Sequence, residues 1–243
     1  MFKAISIALG TVFLFLAGST LYYWNEVREA RSHTAELVRR MYDEFGRSVT
    51  ISDLTPERLD MLLRIEDPTF RIHHGVDLKT PGAGMTTISQ GLVKLLYFPG
   101  GFKPGIRKIR QTLIAQYAFD ALVSKDEQLE LYLNATYFGS DNGIPVHGLE
   151  TAAQTYFGKT YADLSDDEFI ALIGMTISPN TLKPGTAASA LRVKRIRQYL
   201  SGEIAPASVL DVEYSGKISG TFLEEALMAL LRVITDASPS AGN

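Results

Sequence analysis

No cysteine occurs among the 243 residues, which excludes disulfides, thiolate-held metals and cysteine nucleophiles. Excess charge is also missing. Lys and Arg number 24 against 27 Asp and Glu, a net of -3, so the basic footprint of a nucleic-acid binder is absent. Histidines number only four. Two of them, His73 and His74, are adjacent; neighbouring side chains on a regular element point in different directions, and with no third ligand at useful spacing they do not predict a metal site. Strand signals are few, Val49 to Ile51 being the best, and no repeat or low-complexity segment occurs. With 46% hydrophobic and 21% charged residues, the chain can still build one sizeable core and does not have a disordered composition.

What is present begins with a long apolar run. Ala4 through Trp24 carry no charge and match the ~20 residues that cross a bilayer as a helix. Tyr22-Tyr23-Trp24 stand where an interfacial aromatic belt would lie. A cleaved signal peptide is the alternative, since Lys3 precedes the run and Ala17-Gly18-Ser19 are small. The run continues to Trp24 without a clean small-x-small site, which favours an uncleaved anchor. Lys3 against Arg28 and Arg31 leaves orientation unsignalled.

Beyond the anchor, helical patterning dominates. Leu37, Val38, Met41, Tyr42 and Phe45 recur at helical spacing, as do Leu59, Leu62, Leu63 and Ile65 after the start signal Thr55-Pro56. Ser124 with Glu127, Ser165 with Glu168 and Thr221 with Glu224 have capping-box spacing ahead of apolar runs, predicting three further helix starts. The expected organisation is an anchor over 1–24, a helical domain over 25–200, and a C-terminal helical extension over 201–243. In that extension the amphipathic stretch Phe222 to Ile234 closes the core and the tail after Ala237 frays.

The candidate active strip is Glu66-Asp67-Pro68-Thr69-Phe70-Arg71-Ile72-His73-His74-Gly75. Adjacent carboxylates ending an apolar run repel each other and one is partly desolvated, which suits a proton acceptor; a solvated helix cap is the plainer reading. Gly84 to Lys94, Arg107-Lys108, and Lys125 to Asn134 follow in order.

Together these motifs resemble the glycosyltransferase family 51 domain, the peptidoglycan polymerase module of class A penicillin-binding proteins and monofunctional transglycosylases. The resemblance runs from about Arg64 to about Ile196. The pattern EDxxFxxHxG is matched at every fixed position by Glu66, Asp67, Phe70, His73 and Gly75. GxSTxxQQLxK is matched with Thr86 for Ser, by Thr87, Gln90 and Lys94, and with Gly91 where a second Gln is usual. RKxxE is matched by Arg107 and Lys108 but carries Gln111 at the acidic position. KxxxLExYLNxxxxG is matched by Lys125, Leu129, Glu130, Tyr132, Leu133, Asn134 and Gly139, and RxxxVL only loosely by Arg192 and Ile196. The interval from His73 to Thr86 is short for the family, which implies a trimmed membrane-facing jaw.

The resemblance implies a mainly α, lysozyme-like helical transglycosylase domain behind an N-terminal transmembrane helix, on the outer side of a bacterial inner membrane. It implies a reaction in which an acceptor sugar hydroxyl attacks the anomeric carbon of a lipid-linked donor and undecaprenyl pyrophosphate leaves. The implied partners are lipid II, the nascent glycan strand, the membrane and other cell-wall synthesis proteins. Glu66 is the expected base and Asp67 a positioning residue. Lys94, Arg107 and Lys108 are expected along the leaving group. Thr86, Thr87 and Gln90 are expected to hydrogen-bond sugar or phosphate oxygens, although Thr87 can equally pack. His73 is read as a structural hydrogen bonder over Phe70, Glu130 as a buried brace that needs a partner, and Asn134 as part of the same motif. The residue corresponding to Gln111 is a glutamate that handles the pyrophosphate, often with a divalent cation, Mg or Mn. An amide weakens that cation site, and Arg110 is expected to substitute its guanidinium charge. No SxxK or KTG motif occurs, so a transpeptidase half is not expected. Two other readings stay open. One is a degenerate member that binds lipid II or glycan without polymerising it, favoured by Gln111, Gly91 and the shortened jaw. The other is a lytic muramidase, disfavoured by the ordered basic residues because glycan cleavage releases no pyrophosphate. Leu95 to Phe102, rich in aromatics, suits either the core or a lipid interface.

Overall fold

The computed structural model describes residues 2–103 and 105–235. The tail after Ala237 lies outside the described residues. The fold is mainly α with one small hairpin. Helix α1 (Phe2–Phe45) runs unbroken through the expected anchor boundary at Trp24, since no proline interrupts it. It stops at Gly46, whose φ of +72° lets its N–H return to the Tyr42 carbonyl at 2.9 Å. Among the described residues α1 is the one helix long and apolar enough to cross a membrane.

Helix α2 (Pro56–Glu66) starts on the Thr55 cap with proline at its first turn and ends one residue before Asp67-Pro68, where helical φ/ψ is disfavoured. That stop places Glu66 at the end of a rigid element. Helix α3 (Ile88–Tyr97) follows, and α4 (Arg107–Ile114) widens into a π turn over Ala115–Phe119 before the short α5 (Asp120–Leu122). The next elements are α6 (Lys125–Ala135), strands β1 (Tyr137–Asp141) and β2 (Ile144–His147), and α7 (Leu149–Phe157). The chain continues through α8 (Asp166–Met175), α9 (Ala187–Leu200) and α10 (Phe222–Ile234). Ser124, Ser165 and Thr221 cap α6, α8 and α10 as their spacing predicts. In α8 every residue from Phe169 to Met175 is buried, which makes it the central helix; α2 and α9 pack on it. Gly174 allows the close approach of α9, because a Cβ there would lie 2.6 Å from Ile196.

Two local expectations change. Val49 to Ile51 is not a strand; the Asn134 amide occupies both Val49 backbone groups, N–H to Oδ1 at 3.0 Å and Nδ2 to C=O at 2.7 Å, and 51–53 is a 3₁₀ turn. The strands lie instead at 137–147, joined by Asn142-Gly143 with φ of 48° and 83°, the Asn-Gly signal for a two-residue hairpin loop. The Leu95 to Phe102 segment resolves mainly as core. Leu96 and Phe98 are buried, Phe102 meets Phe98 edge-on at 5.2 Å, and the Tyr97 hydroxyl lies 2.7 Å from Thr34 Oγ1 of α1.

The segment after α9 is woven into the domain. The Asp211 carboxylate accepts the backbone N–H groups of Ala207, Ser215 and Gly216, and the loop it organises receives Gly82 N–H at the Ser208 carbonyl and Gly84 N–H at the Val209 carbonyl. Gly82 is required by this contact, since a Cβ would stand 2.6 Å from the Pro206 ring.

Candidate active site

Glu66 opens into a cavity of about 280 Å³ whose wall includes Gly84, Met85, Thr86, Lys94, Thr176, Arg192 and Val212. Three separate stretches therefore meet at the end of α2: the start and face of α3, the end of α8, and α9 with the C-terminal loop. Glu66 is half-buried, and its Oε1 accepts from Thr176 Oγ1 at 2.6 Å. Desolvation pushes its carboxyl above the ordinary glutamate range; the Thr176 and Tyr132 hydroxyls and the Arg192 charge offset part of that rise. The buried Tyr132 hydroxyl stands beside Glu66 but off hydrogen-bond alignment, and burial followed by the neighbouring carboxylate raises its own pKa strongly.

Cationic side chains stand on and beside the same wall. Lys94 projects from α3, and burial lowers its pKa. Lys108, on the buried face of α4, donates from Nζ to Thr86 Oγ1 at 3.1 Å; burial, followed by the Lys94 charge, holds its pKa well below the usual lysine range. Neither ammonium has an ion-pair partner among the described residues. Two desolvated cations without counterions cost stability. Lys108→Met, which keeps the stem and deletes the buried charge, is expected to raise Tm by about 2–4 °C, the effect of ~1 kcal/mol in a chain of this size. The same change should weaken binding of inorganic pyrophosphate at least tenfold by calorimetry. A lowered Tm with unchanged pyrophosphate affinity would contradict this account.

Most other residues of the expected site hold the framework. Asp67 is buried and accepts His73 Nε2–H at 2.9 Å and the Ile88 N–H at 3.0 Å, so it is neither a solvated cap nor open to a ligand. His73 is buried on Asp67, with Lys125 Nζ 3.5 Å from its Nδ1 and the Phe70 ring edge-on at 6.1 Å. These partners assign its proton to Nε2. The motif glycine Gly75 is needed because a Cβ would lie 2.5 Å from the Ala115 carbonyl in the π turn. Thr87 caps α3, accepts Gln90 N–H at 3.1 Å and donates to the Gly75 carbonyl at 2.7 Å. Gln90 returns the cap through Oε1 and donates to Thr112.

Gln111 is fully buried and donates from Nε2 to the Gln90 carbonyl at 2.6 Å, tying α4 to α3, while its Oε1 has no partner among the described residues. Asn134 is occupied by Val49. Glu130 is half-exposed and, among the described residues, makes no hydrogen bond or ion pair from its carboxylate; two positions from Tyr132 on α6, it faces a different side of the helix, and Tyr132 is the residue that reaches Glu66. The expected buried brace at 130 is corrected accordingly. Arg107 and Arg110 are also displaced from the Glu66 cavity. Both line a groove against Leu14, Phe15, Tyr22 and Tyr23 of α1. Arg110 pairs with Glu26 and lies over the Phe98 ring at 5.3 Å, so its charge is not directed to Gln111. Of the expected ligand contacts, Glu66, Thr86 and Lys94 line the cavity and Lys108 joins them through Thr86. Thr176, Tyr132 and Arg192 were not expected there. Tyr132 and Arg192 lie within the quoted motifs, whereas Thr176 carries no signal in the sequence.

Comparison with known proteins identifies the family. A family model described as Transglycosylase matches residues 34–202. Penicillin-binding protein 1A of Escherichia coli is 31% identical over 166 residues, 63% of this chain and 19% of that protein. Penicillin-binding protein 1A of Streptococcus oralis is 28% identical over 262 residues, 94% of this chain and 40% of its own length. Penicillin-binding protein 1B of Buchnera aphidicola is 33% identical over 145 residues, 54% of this chain and 19% of its own. The chain thus spans about a fifth to two fifths of the relatives it matches.

Proposed function

We propose, from the premise that this chain belongs to the transglycosylase family, glycosyltransferase family 51, with its lysozyme-like fold, that it polymerises lipid II into glycan strands. The observation that carries the reading is the cavity that Glu66 shares with Lys94, with Lys108 bound to its wall through Thr86 and neither ammonium ion-paired among the described residues. The acceptor hydroxyl gives its proton to the Glu66 carboxylate as its oxygen bonds to the donor's anomeric carbon. The bond from that carbon to the phosphate oxygen breaks, and the electron pair leaves with undecaprenyl pyrophosphate. Lys94 and Lys108 face the charge that develops on the leaving group, where their partial desolvation strengthens the attraction. Thr176 orients the carboxylate, and Arg192, fixed by its Nη1 on the Val212 carbonyl at 2.6 Å, helps keep it ionised. α1 anchors this site at the bacterial inner membrane, with the domain on its outer side, where a lipid-linked substrate presents its head group.

A divalent cation does not fit the donor set. The one carboxylate lining the cavity is Glu66, Gln111 offers a buried amide oxygen, and no three His, Asp or Glu side chains converge among the described residues. The two ammoniums provide the positive charge in this reading.

Labelled lipid II incubated with the purified protein tests it. Polymer with release of undecaprenyl pyrophosphate is the expected product. Bound but unconverted lipid II would favour the degenerate, binding-only member, and soluble muropeptides released from sacculi would favour the muramidase.

The pH profile is a second check. Glu66 acts as a base only above its folded pKa, which burial raises, so the ascending limb of kcat/KM lies above the ordinary carboxylate range. Lys108 loses its charge as pH rises through a folded pKa that burial lowers, so the descending limb lies below the ordinary lysine range. Lys108→Arg should move the descending limb upward, since a guanidinium stays charged. A descending limb that does not move would remove Lys108 from the charge-bearing role.

A further inference from the structure

Helix α10 carries an apolar face that the globular domain does not use. Its inner side is satisfied: Met228 and Leu231 are buried, and Arg232 donates from Nε to the Leu78 carbonyl at 2.9 Å. At 100° per residue the opposite arc consists of Phe222, Leu223, Ala226, Ala229, Leu230 and Val233, without a charge or hydroxyl among them. Phe222, Leu223 and Val233 are 87%, 76% and 83% exposed. The charges of α10, Glu224, Glu225 and Arg232, lie outside this arc, which leaves a contiguous apolar face uncovered among the described residues.

What covers the other half follows from where α10 ends. Leu230 and Ile234 share an apolar groove of about 880 Å³ with Phe15, Leu16, Tyr23 and Trp24 of α1. Those four residues lie in the half of the apolar run that adjoins the domain, and Phe15 to Trp24 extends about 14 Å along the helix axis. The end of α10 therefore stands at a depth that the span itself occupies.

We propose that α10 is a second membrane-contacting element, lying in the interface of the leaflet from which α1 emerges, with its outer arc against acyl chains. The proposal rests on reading α1 as a membrane anchor. Its consequence for the site is direct. Arg232 holds the 76–86 segment by the Leu78 carbonyl, and Gly82 to Thr86 form one wall of the Glu66 cavity. Docking of α10 in lipid sets that wall against the membrane surface.

The absence of cysteine makes the test clean, because each introduced thiol is the only one in the chain. Leu14→Cys, Leu223→Cys, Val233→Cys and Ser201→Cys, all at exposed positions, are spin-labelled in the full chain and reconstituted in phosphatidylethanolamine and phosphatidylglycerol vesicles. Labels at Leu223 and Val233 are expected to follow Leu14, with collisions with oxygen severalfold above those with a nickel chelate, while Ser201 shows the reverse. If Leu14 reads as lipid-exposed and the α10 labels match Ser201, the proposal is overturned and the anchor stands. If Leu14 itself reads as water-exposed, both fall. Labels shielded from both agents, with dipolar broadening that fades on dilution with unlabelled protein, would mean a second copy covers the face and would also overturn it.

Discussion

Glu66→Gln is expected to abolish lipid II polymerisation while leaving the fold intact. The amide is isosteric, its Oε1 still accepts from Thr176, and the packing at the end of α2 is unchanged. What disappears is the lone pair that takes the proton, and a positioned base contributes about 10²- to 10⁴-fold. Chain formation should fall by that factor in a gel assay of labelled glycan, while the far-UV melting curve overlays that of the parent. Lipid II binding should persist, because Lys94 and Lys108 are untouched. Retention of more than about a tenth of the parent rate would remove Glu66 as the base.

Asp67→Ala has the largest expected effect on stability. The carboxylate is buried, accepts the His73 ring and the first N–H of α3, and lies within the field of Lys125. Alanine leaves the His73 donor and the Ile88 N–H unpaired and removes one of the two anions near Lys125, whose ion pair with Asp120 at 2.6 Å remains. Breaking such a buried arrangement costs about 3–5 kcal/mol, out of a total that is typically about 5–15. A fall in Tm of roughly 6–20 °C is expected in detergent solution. The mechanical consequence is as specific as the thermodynamic one. Asp67 joins the end of α2, which presents Glu66, to the start of α3, which presents Lys94, so the residual folded protein should lose catalytic rate, and the pH limb due to Glu66 should move downward because the Asp67 charge contributes to raising that carboxyl. A Tm within about 2 °C of the parent would show that the pair contributes little.

The contrast between Glu66 and Asp67 shows where reading residues in order runs out. They are adjacent and chemically alike, yet one ends a helix facing a cavity and the other turns inward onto His73 and α3. The same split runs through the second motif. Thr86 and Lys94 reach the cavity, while Thr87 and Gln90 form the cap of the helix that carries them. A polar residue at a motif position can serve a ligand or a backbone N–H, and its type and spacing are the same in both cases. Burial distinguishes them, and burial depends on neighbours distant in the chain. On α6, Glu130 is read as the brace and Tyr132 only as a motif match; two residues of helical rotation put Tyr132, not Glu130, beside Glu66.

The sequence by itself determined the long apolar helix, the helix starts at Thr55, Ser124, Ser165 and Thr221, the family, and Glu66 as the candidate base. These follow from local rules of hydrophobic periodicity, capping geometry and ordered motifs, each acting over a few residues. Only the tertiary structure decided that Thr176, Tyr132 and Arg192 surround Glu66, that Arg107 and Arg110 stand against α1, that Gln111 is a core tie, and that α10 keeps a bare apolar face. Each of those depends on contacts between segments tens to more than a hundred residues apart, where the free energy of burial is set by what packs opposite and no local pattern carries the information.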